Sequence, residues 1–486
     1  MKNYIIEILF ILIALTSYSN EDSIYVKDNN NLTAKSYIIS SSEVFGINAF
    51  VNLFDRYILD AEFAKISFQS VKDNIDYGFV WDNDKFSTNL FAHPYHGSLY
   101  FNAARTSGFN FWQSSPFVFA GSLMWEVAGE IEPPAINDLI ATTMGGISLG
   151  EITYRLSDLI LDDSSEGWER FFREFFSAAI CPMKGLNRLI NKQSWQIKQN
   201  NYLYHDFSLL PLQISLSAGT RYLADNGSIL KGEYNPYFQA YISYGDLYNL
   251  ENSKPYDYLT LQTTIGFSPN QPIFSSFNVL GRLWGLNIKT NTDMNSQFGI
   301  FQNFNYYNSE PVIDGSDEVP YRISEAASVG PGFIYSFDSI GNIALLEQRI
   351  FANIILLGGS FSDYYRYIDR DYNMGSGYSF RINTNVKLFN LTQFFLNAEY
   401  YRIFTWKGYE EKINENIDPL YLNAQGDKSN VQLFVVNPLL RLHVKDNISF
   451  DMSVSYFWRK TKYDQYEDVF SNTFEAKIGL NYTLGL

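Results

Sequence analysis

The 486-residue chain has a single cysteine, Cys181. That excludes an intrachain disulfide framework and any cysteine-based zinc cluster. Basic residues are scarce beside acidic ones, 36 Lys and Arg against 52 Asp and Glu, for a net charge of −16. Nucleic acid is excluded as a partner, because binding phosphates needs a basic surface. Only 18% of residues are charged and 15 are proline, which argues against a largely disordered chain. Beyond the N-terminus no window offers the roughly 18 uncharged apolar residues of a membrane-spanning helix. H-E-x-x-H is missing, and no G-x-S-x-G, P-loop or dinucleotide fingerprint stands in a fitting context.

Aromatic side chains are abundant at 17%, with 36 Tyr, 40 Phe and 8 Trp. The N-terminus, "MKNYIIEILFILIALTSYSN", has Lys2, an apolar run from Ile5 to Leu15, and then Ser17 and Ser19 in small-x-small spacing. This predicts a secretory signal peptide over residues 1–19, with Glu7 atypical inside the apolar run. Residues 20–40 then form an exported segment. With no cysteine directly after the signal, lipoprotein anchoring is not expected.

From about Leu212 onward the apolar residues recur every second position. In "TFEAKIGLNYTLGL", Phe474, Ala476, Ile478, Leu480 and Tyr482 alternate with Glu475, Lys477, Asn481 and Thr483. "NISFDMSVSYFW" repeats the pattern with Ile448, Phe450, Met452, Val454 and Tyr456 opposite Asp451 and three serines. Roughly 12 such windows follow one another, most near the ~9–11 residues of a tilted membrane strand. An antiparallel sandwich would alternate too, but its dry core would not accept the Arg, Lys, Asp and Glu of the second face. Aromatic residues near the window ends, such as Tyr400, Tyr401 and Trp458, suit the girdles of a membrane barrel. The expected fold is therefore α+β: a helical domain over residues 41–205, then an antiparallel transmembrane β-barrel of roughly 12 strands over 206–486.

The first part is patterned differently. "EVFGINAFVNLFDRYIL" has helical spacing. "SSPFVFAGSLMWEVAGEIEPP" reads as a helix capped at Ser114–Ser115 with Pro116 in its first turn. A following helix is apolar almost all round, and Gly145, Gly146 and Gly150 would let another backbone approach it. In "SSEGWERFFREFFSAAI", Trp168, Phe171, Phe172, Phe175 and Phe176 make one aromatic stripe. Packing of this stripe across a barrel mouth is expected. The alternative is an interfacial helix, with Lys184, Arg188 and Lys192 near lipid phosphates.

Polar residues concentrate around "FAHPYHGSLYFNAARTSG". They include His93, His96, Arg105, Glu126, Glu130, Asn137, Asp138, Glu151, Arg155 and Asp158. Glu126 and Glu130 share a helix face, Glu151, Arg155 and Asp158 form another such stripe on the next helix, and carboxylates on apolar helices must be paired or hydrogen-bonded. His93, His96, Glu126 and Glu130 form the candidate catalytic cluster, with Arg105, Asn137, Asp138 and Arg155 as candidate substrate-binding residues. Three readings compete: a satisfied polar network, a His/carboxylate acid–base site, and a Zn, Mn or Fe site. The structural network is favoured, with no metal and no cofactor expected.

The ordered motifs D-x-D-x-F-x-x-N, H-P-Y-H-G, A-A-R-x-x-G, W-E, N-D-L and G-E-x-x-Y-R resemble the domain-of-unknown-function family numbered 3943. The likeness spans about residues 40–190, and Cys181 stands where that family is expected to have Asn. It implies a bacterial envelope location and a helical domain ahead of a barrel, and brings no activity with it. The resulting expectation is an outer-membrane barrel with a periplasmic or plug-like helical domain, in an envelope-structural or transport role. Its partners would be outer-membrane lipid and a small solute or lipid. The alternatives are an envelope lipid- or glycan-modifying hydrolase and a surface adhesin or antigen.

Overall fold

The computed structural model describes residues 32–81, 84–197, 211–250, 253–288, 294–312, 319–364, 371–388, 392–406 and 426–485. The expected signal peptide lies outside these residues. The chain divides into two compact units, one of residues 1–80 and 92–209 and the other of residues 81–91 and 210–486.

The first unit is helical: α1 (Ala34–Tyr57), α2 (Phe68–Tyr77), α3 (His93–Thr106), α4 (Phe111–Ala128), α5 (Ile136–Ile140), α6 (Gly146–Ile160), α7 (Gly167–Ile180) and α8 (Pro182–Ile190). Helix α3 begins at His93 with Pro94 in its first turn, where a fixed φ and a missing N–H cost nothing. Helix α4 starts earlier than its sequence suggests. Its cap is Asn110, in a reciprocal box with Gln113, and Pro116 lies inside the helix. Two satisfied backbone N–H groups at Asn110 and Gln113 outweigh the Ser-Ser-Pro signal. Helices α5 and α6 are joined by a π-helical turn, Ala141–Gly145.

Small residues decide how α3 meets α6. A Cβ on Gly97 would overlap the Thr142 carbonyl, and one on Gly146 would overlap the Gly97 backbone. The two backbones therefore touch where side chains would otherwise hold them apart. Asparagines of α1 tie the unit together: Asn48 donates to the Gly121 carbonyl at 3.1 Å, and Asn52 to those of Ala64 and Gly129 at 2.9 Å. Among the described residues, no helix is long and apolar enough to cross a membrane.

The second unit is a closed antiparallel barrel. Its strands are β1 (Leu212–Asp225), β2 (Ser228–Tyr244), β3 (Leu259–Gly266), β4 (Phe274–Asn287), β5 (Met294–Asn308), β6 (Arg322–Ile340), β7 (Ile343–Phe361), β8 (Tyr372–Leu388), β9 (Thr392–Thr405), β10 (Ser429–Lys445), β11 (Ile448–Tyr463) and β12 (Val469–Gly485). Each pairs with its chain neighbours, and β1 closes on β12 in a register that sets Ser215 opposite Thr483. Every alternating window of the sequence falls on one of these strands. Two-residue turns, Gly341–Asn342 and Asp446–Asn447, close β6–β7 and β10–β11, with Gly341 and Asp446 at positive φ.

Side chains sort by parity as expected. Met452, Val454, Tyr456, Ile478, Leu480 and Tyr482 are exposed on the wall. Asp451, Ser455, Thr473, Glu475 and Asn481, which alternate with them, are buried. The buried set reaches across the interior between strands that are not neighbours: Tyr307 of β5 donates to Glu399 of β9 at 3.3 Å, and Arg381 of β8 to Asn303 of β5 at 2.9 Å. An apolar outer wall, a polar interior and no free edge make this a transmembrane barrel. Val454→Arg should therefore cost on the order of 2–4 kcal/mol if the site lies at mid-bilayer. Urea unfolding in lipid vesicles reads the cost, and an unchanged midpoint would argue against a lipid-facing β11.

Residues 81–91 belong with the barrel, although they lie within the stretch expected to be helical domain. Phe86 stacks on Tyr306 at 5.3 Å and meets Tyr372 edge-on at 5.4 Å. Phe91 packs on Phe274 and Phe277, Trp81 meets Trp406, and Asn89 donates to the Tyr372 hydroxyl at 2.7 Å.

Candidate functional site

The candidate residues of the helical unit form two polar groups. In the first, α3 places His93 and His96 one turn apart on its exposed-to-buried boundary. His93 Nε2 lies 3.7 Å from Asp138 of α5, whose Oδ1 also accepts from Asn137 at 2.7 Å. His96 is packed between Tyr100 and Trp125, with ring centroids at 4.8 and 5.3 Å. Its Nε2 is 2.9 Å from the Tyr100 hydroxyl, which donates to Asn48. That hydroxyl's proton is committed to Asn48, so His96 must donate to it from Nε2.

Burial, with a smaller contribution from His93, lowers the His96 pKa to about 3. Glu126 accepts from the Ala135 backbone N–H at 2.7 Å. Asn74 donates to the Glu130 carbonyl at 3.0 Å. Asp138 thus stands beside His93, and Tyr100 beside His96. Among the described residues no three His, Cys, Asp or Glu side chains come together to hold an ion.

The second group is a buried ion cluster. Glu151 of α6 accepts from Arg105 Nε at 2.8 Å, from Arg105 Nη2 at 3.0 Å and from Arg155 Nε at 2.7 Å. Burial pushes the Glu151 carboxyl up, but Arg105 and Arg155 outweigh it and hold the pKa below the usual value. Arg105 lies over the Tyr154 ring at 4.5 Å, and Lys184 Nζ approaches the same ring at 3.6 Å. Lys184 also donates to the Tyr154 carbonyl at 2.7 Å and pairs with Asp158. Burial lowers its pKa against the pull of Asp158.

Lys184 and Arg188 do not form a cationic face toward lipid. Lys184 is buried with Asp158, and Arg188 is held by Glu174 at 2.7 and 2.9 Å and by Asp163 at 2.5 Å. Of the three, Lys192 is the exposed one. The sequence did mark Glu151, Arg155 and Asp158 as one stripe. It missed Lys184 and Tyr154 as their partners, because Lys184 arrives from two helices later. The described groove of the helical unit, about 570 Å³, is lined by residues including Asn74, Ile75, Phe79, Leu123, Met124 and Val127, and by none of the candidate residues.

The barrel interior is the other candidate site. Leu223, Tyr321, Ile323, Ile355, Tyr401, Ile403, Leu433, Val435 and Phe457 make one buried apolar cluster drawn from β1, β6, β7, β9, β10, β11 and the connection before β6. Tyr321 stacks on Phe457 at 4.4 Å and donates to Glu475 at 3.1 Å. The space left beside these rings is about 10 Å³, no more than one water occupies. Ion pairs line the rest of the interior, among them Arg441–Asp451 at 2.8 Å, Lys477–Glu475 at 2.6 Å, Arg349–Glu347 at 2.7 Å and Arg381–Glu325. No signal in the sequence marked the apolar cluster as distinct, since its members alternate with polar residues like any lumen position.

Residues 78–183 match the model of a family described as a domain of unknown function, DUF3943, a narrower span than the motifs suggested. No curated protein matches the chain. Among solved structures, the NanC porin is similar with a TM-score of 0.28 and 13% identity, over 56% of this chain and 100% of that one. An outer membrane channel from Pseudomonas putida F1 is similar at 0.27 and 9%, over 57% and 95%. The outer membrane channel DcaP of Acinetobacter baumannii is similar at 0.22 and 8%, over 56% and 96%.

Proposed function

We propose that the protein is a channel of the bacterial outer membrane for small polar solutes, held shut in this conformation by its apolar cluster. The observation that carries this reading is the barrel interior itself. A barrel whose only role was structural would have no use for ion pairs along a lumen, since burying charge is costly even when paired. A lumen that passes polar solutes needs such groups to replace their hydration. A ring of apolar side chains across the path is the kind of constriction that closes a channel by excluding water. Arg441–Asp451, Lys477–Glu475 and Arg349–Glu347 would offer donors and acceptors of both signs, which suits a neutral or zwitterionic solute better than a strongly charged one.

In this reading the signal peptide of residues 1–19 directs export and is absent from the mature protein, which its intact mass would check. The polar groups of the helical unit are scaffold. His93, His96, Glu126 and Glu130 hold helices α3, α4 and α5 in place, and Arg105 and Arg155 neutralise Glu151. The hydrolase reading draws no support from a neutral, enclosed His96 or from a groove that none of the candidate residues lines.

Planar-bilayer recording tests the channel. The full-length protein is expected to conduct little, and Tyr321→Ala with Phe457→Ala to raise the conductance several-fold. A double variant that inserts as a heat-resistant barrel yet conducts no more than the parent would refute a gate at this cluster. Absence of any conductance on further removal of Leu433 and Val435 would refute the channel.

A further inference from the structure

Helix α7 keeps a ready-made apolar face outside the folded unit. Trp168, Phe171, Phe172, Phe175 and Phe176 are 76, 55, 49, 56 and 53% exposed. Their rings touch one another, as Phe171 with Phe175 and Phe172 with Phe176, both at 6.3 Å. A patch of this size seldom stays bare in water.

The helix cannot roll to hide it. On the opposite face Arg170 is buried and donates to the carbonyls of Asp163, Gln193 and Ser194 at 2.7–2.9 Å. Arg173 donates to the Ile160 carbonyl at 2.9 Å, and Glu174 is held by Arg188. A Cβ on Gly185 of α8 would collide with Ala178, so α7 and α8 are in contact with no slack between them. On α8, Leu186, Leu189 and Ile190 are also exposed, as is Trp195 beyond it.

We infer that α7 lies in the headgroup–acyl boundary of the bilayer that holds the barrel, with its five aromatic side chains among the lipid chains. The inference rests on the membrane reading of the barrel. Three observations select lipid as the occupant. The stripe is Trp and Phe alone, the residues that favour this boundary, on a helix with a polar opposite face. The charges flanking it are balanced, Glu169 against Arg173 at 2.9 Å, and Lys192 is exposed nearby in the chain, so anionic headgroups would not be repelled. Finally, the chain leaves the helical unit for the barrel unit at residues 80–81, returns at 91–92 and leaves again at 209–210, so three covalent links tether this face to the barrel.

The test uses the full chain with Cys181→Ser and a nitroxide attached at Phe172→Cys, reconstituted in phosphatidylethanolamine–phosphatidylglycerol vesicles. Collision with oxygen should exceed collision with a water-soluble nickel chelate several-fold, placing the label about 5–10 Å below the phosphates. Phe175→Cys should behave alike and serves if the first variant folds poorly. A parallel label at Met452→Cys on the barrel wall reports insertion independently. If Met452 reads lipid while Phe172 and Phe175 read water, the α7 inference is overturned and the barrel reading stands. If all three read water, the membrane barrel itself fails. Labels at α7 shielded from both oxygen and nickel would mean that protein, whether a second copy or the barrel, covers the face, and would also overturn the inference.

Discussion

Glu151→Gln is expected to destabilise the helical unit by roughly 3–5 kcal/mol, because it removes the buried negative charge that two guanidinium groups share. Glu151 is fully buried and accepts from Arg105 and Arg155 together. The amide keeps the shape and can still accept one or two hydrogen bonds. What it removes is the charge, so Arg105 and Arg155, with side chains 15 and 2% exposed, repel across a site with little water to screen them. Arg105→Met should cost less, since Arg155 still neutralises Glu151. The barrel belongs to a different unit and should keep its resistance to heating in detergent. Denaturant titration of the full chain, followed by protease cleavage within residues 92–197, measures the loss. A Glu151→Gln protein as protease-resistant as the parent would mean that the cluster contributes charge but no stability.

The barrel was far more legible in the sequence than the site. Alternation is a local signal: each strand shows its two faces within a few residues, so Phe474 to Tyr482 and Ile448 to Tyr456 could be assigned to the wall without knowing their neighbours. The chemistry of a partner is not local. Glu151, Arg155 and Asp158 declared themselves as a stripe that needed donors, yet Lys184 completes it from α8, and Arg105 does so from α3. Glu126 shows a different limit. It appeared to need a side-chain cation, and its carboxylate is served in part by the backbone N–H of Ala135, a donor that every sequence has everywhere. The α7 stripe was hard to read for a third reason. An amphipathic helix announces that its apolar face will be covered, but the pattern is the same for protein and for lipid.

Replacing Glu43 should uncover a pH dependence that the parent protein hides. His96 has its pKa lowered from 6.5 to about 3 by burial. Its contribution is fully present above pH 6.5 and is lost as the pH falls toward 3, because the fold must then bury a charged imidazole or expel it. Glu43 of α1 runs the other way. Burial raises its pKa from 4.5 to about 7, against a hydrogen bond from Asn187. Its contribution is complete below pH 4.5 and lost as the pH rises through 7. Between pH 4.5 and 6.5 the two slopes oppose each other with nearly equal size. Glu43→Gln removes one of them. The variant should then lose stability relative to the parent as the pH is lowered from 6.5 to 4.5, by roughly 1–2 kcal/mol once the partial exposure of Glu43 is allowed for. His96→Gln should do the reverse and gain relative stability on acidification over the same interval. Other titrating groups are common to all three proteins and cancel in the comparison. Denaturant midpoints of the helical unit at four pH values decide the matter, and parallel curves for parent and both variants would show that neither burial shifts a proton.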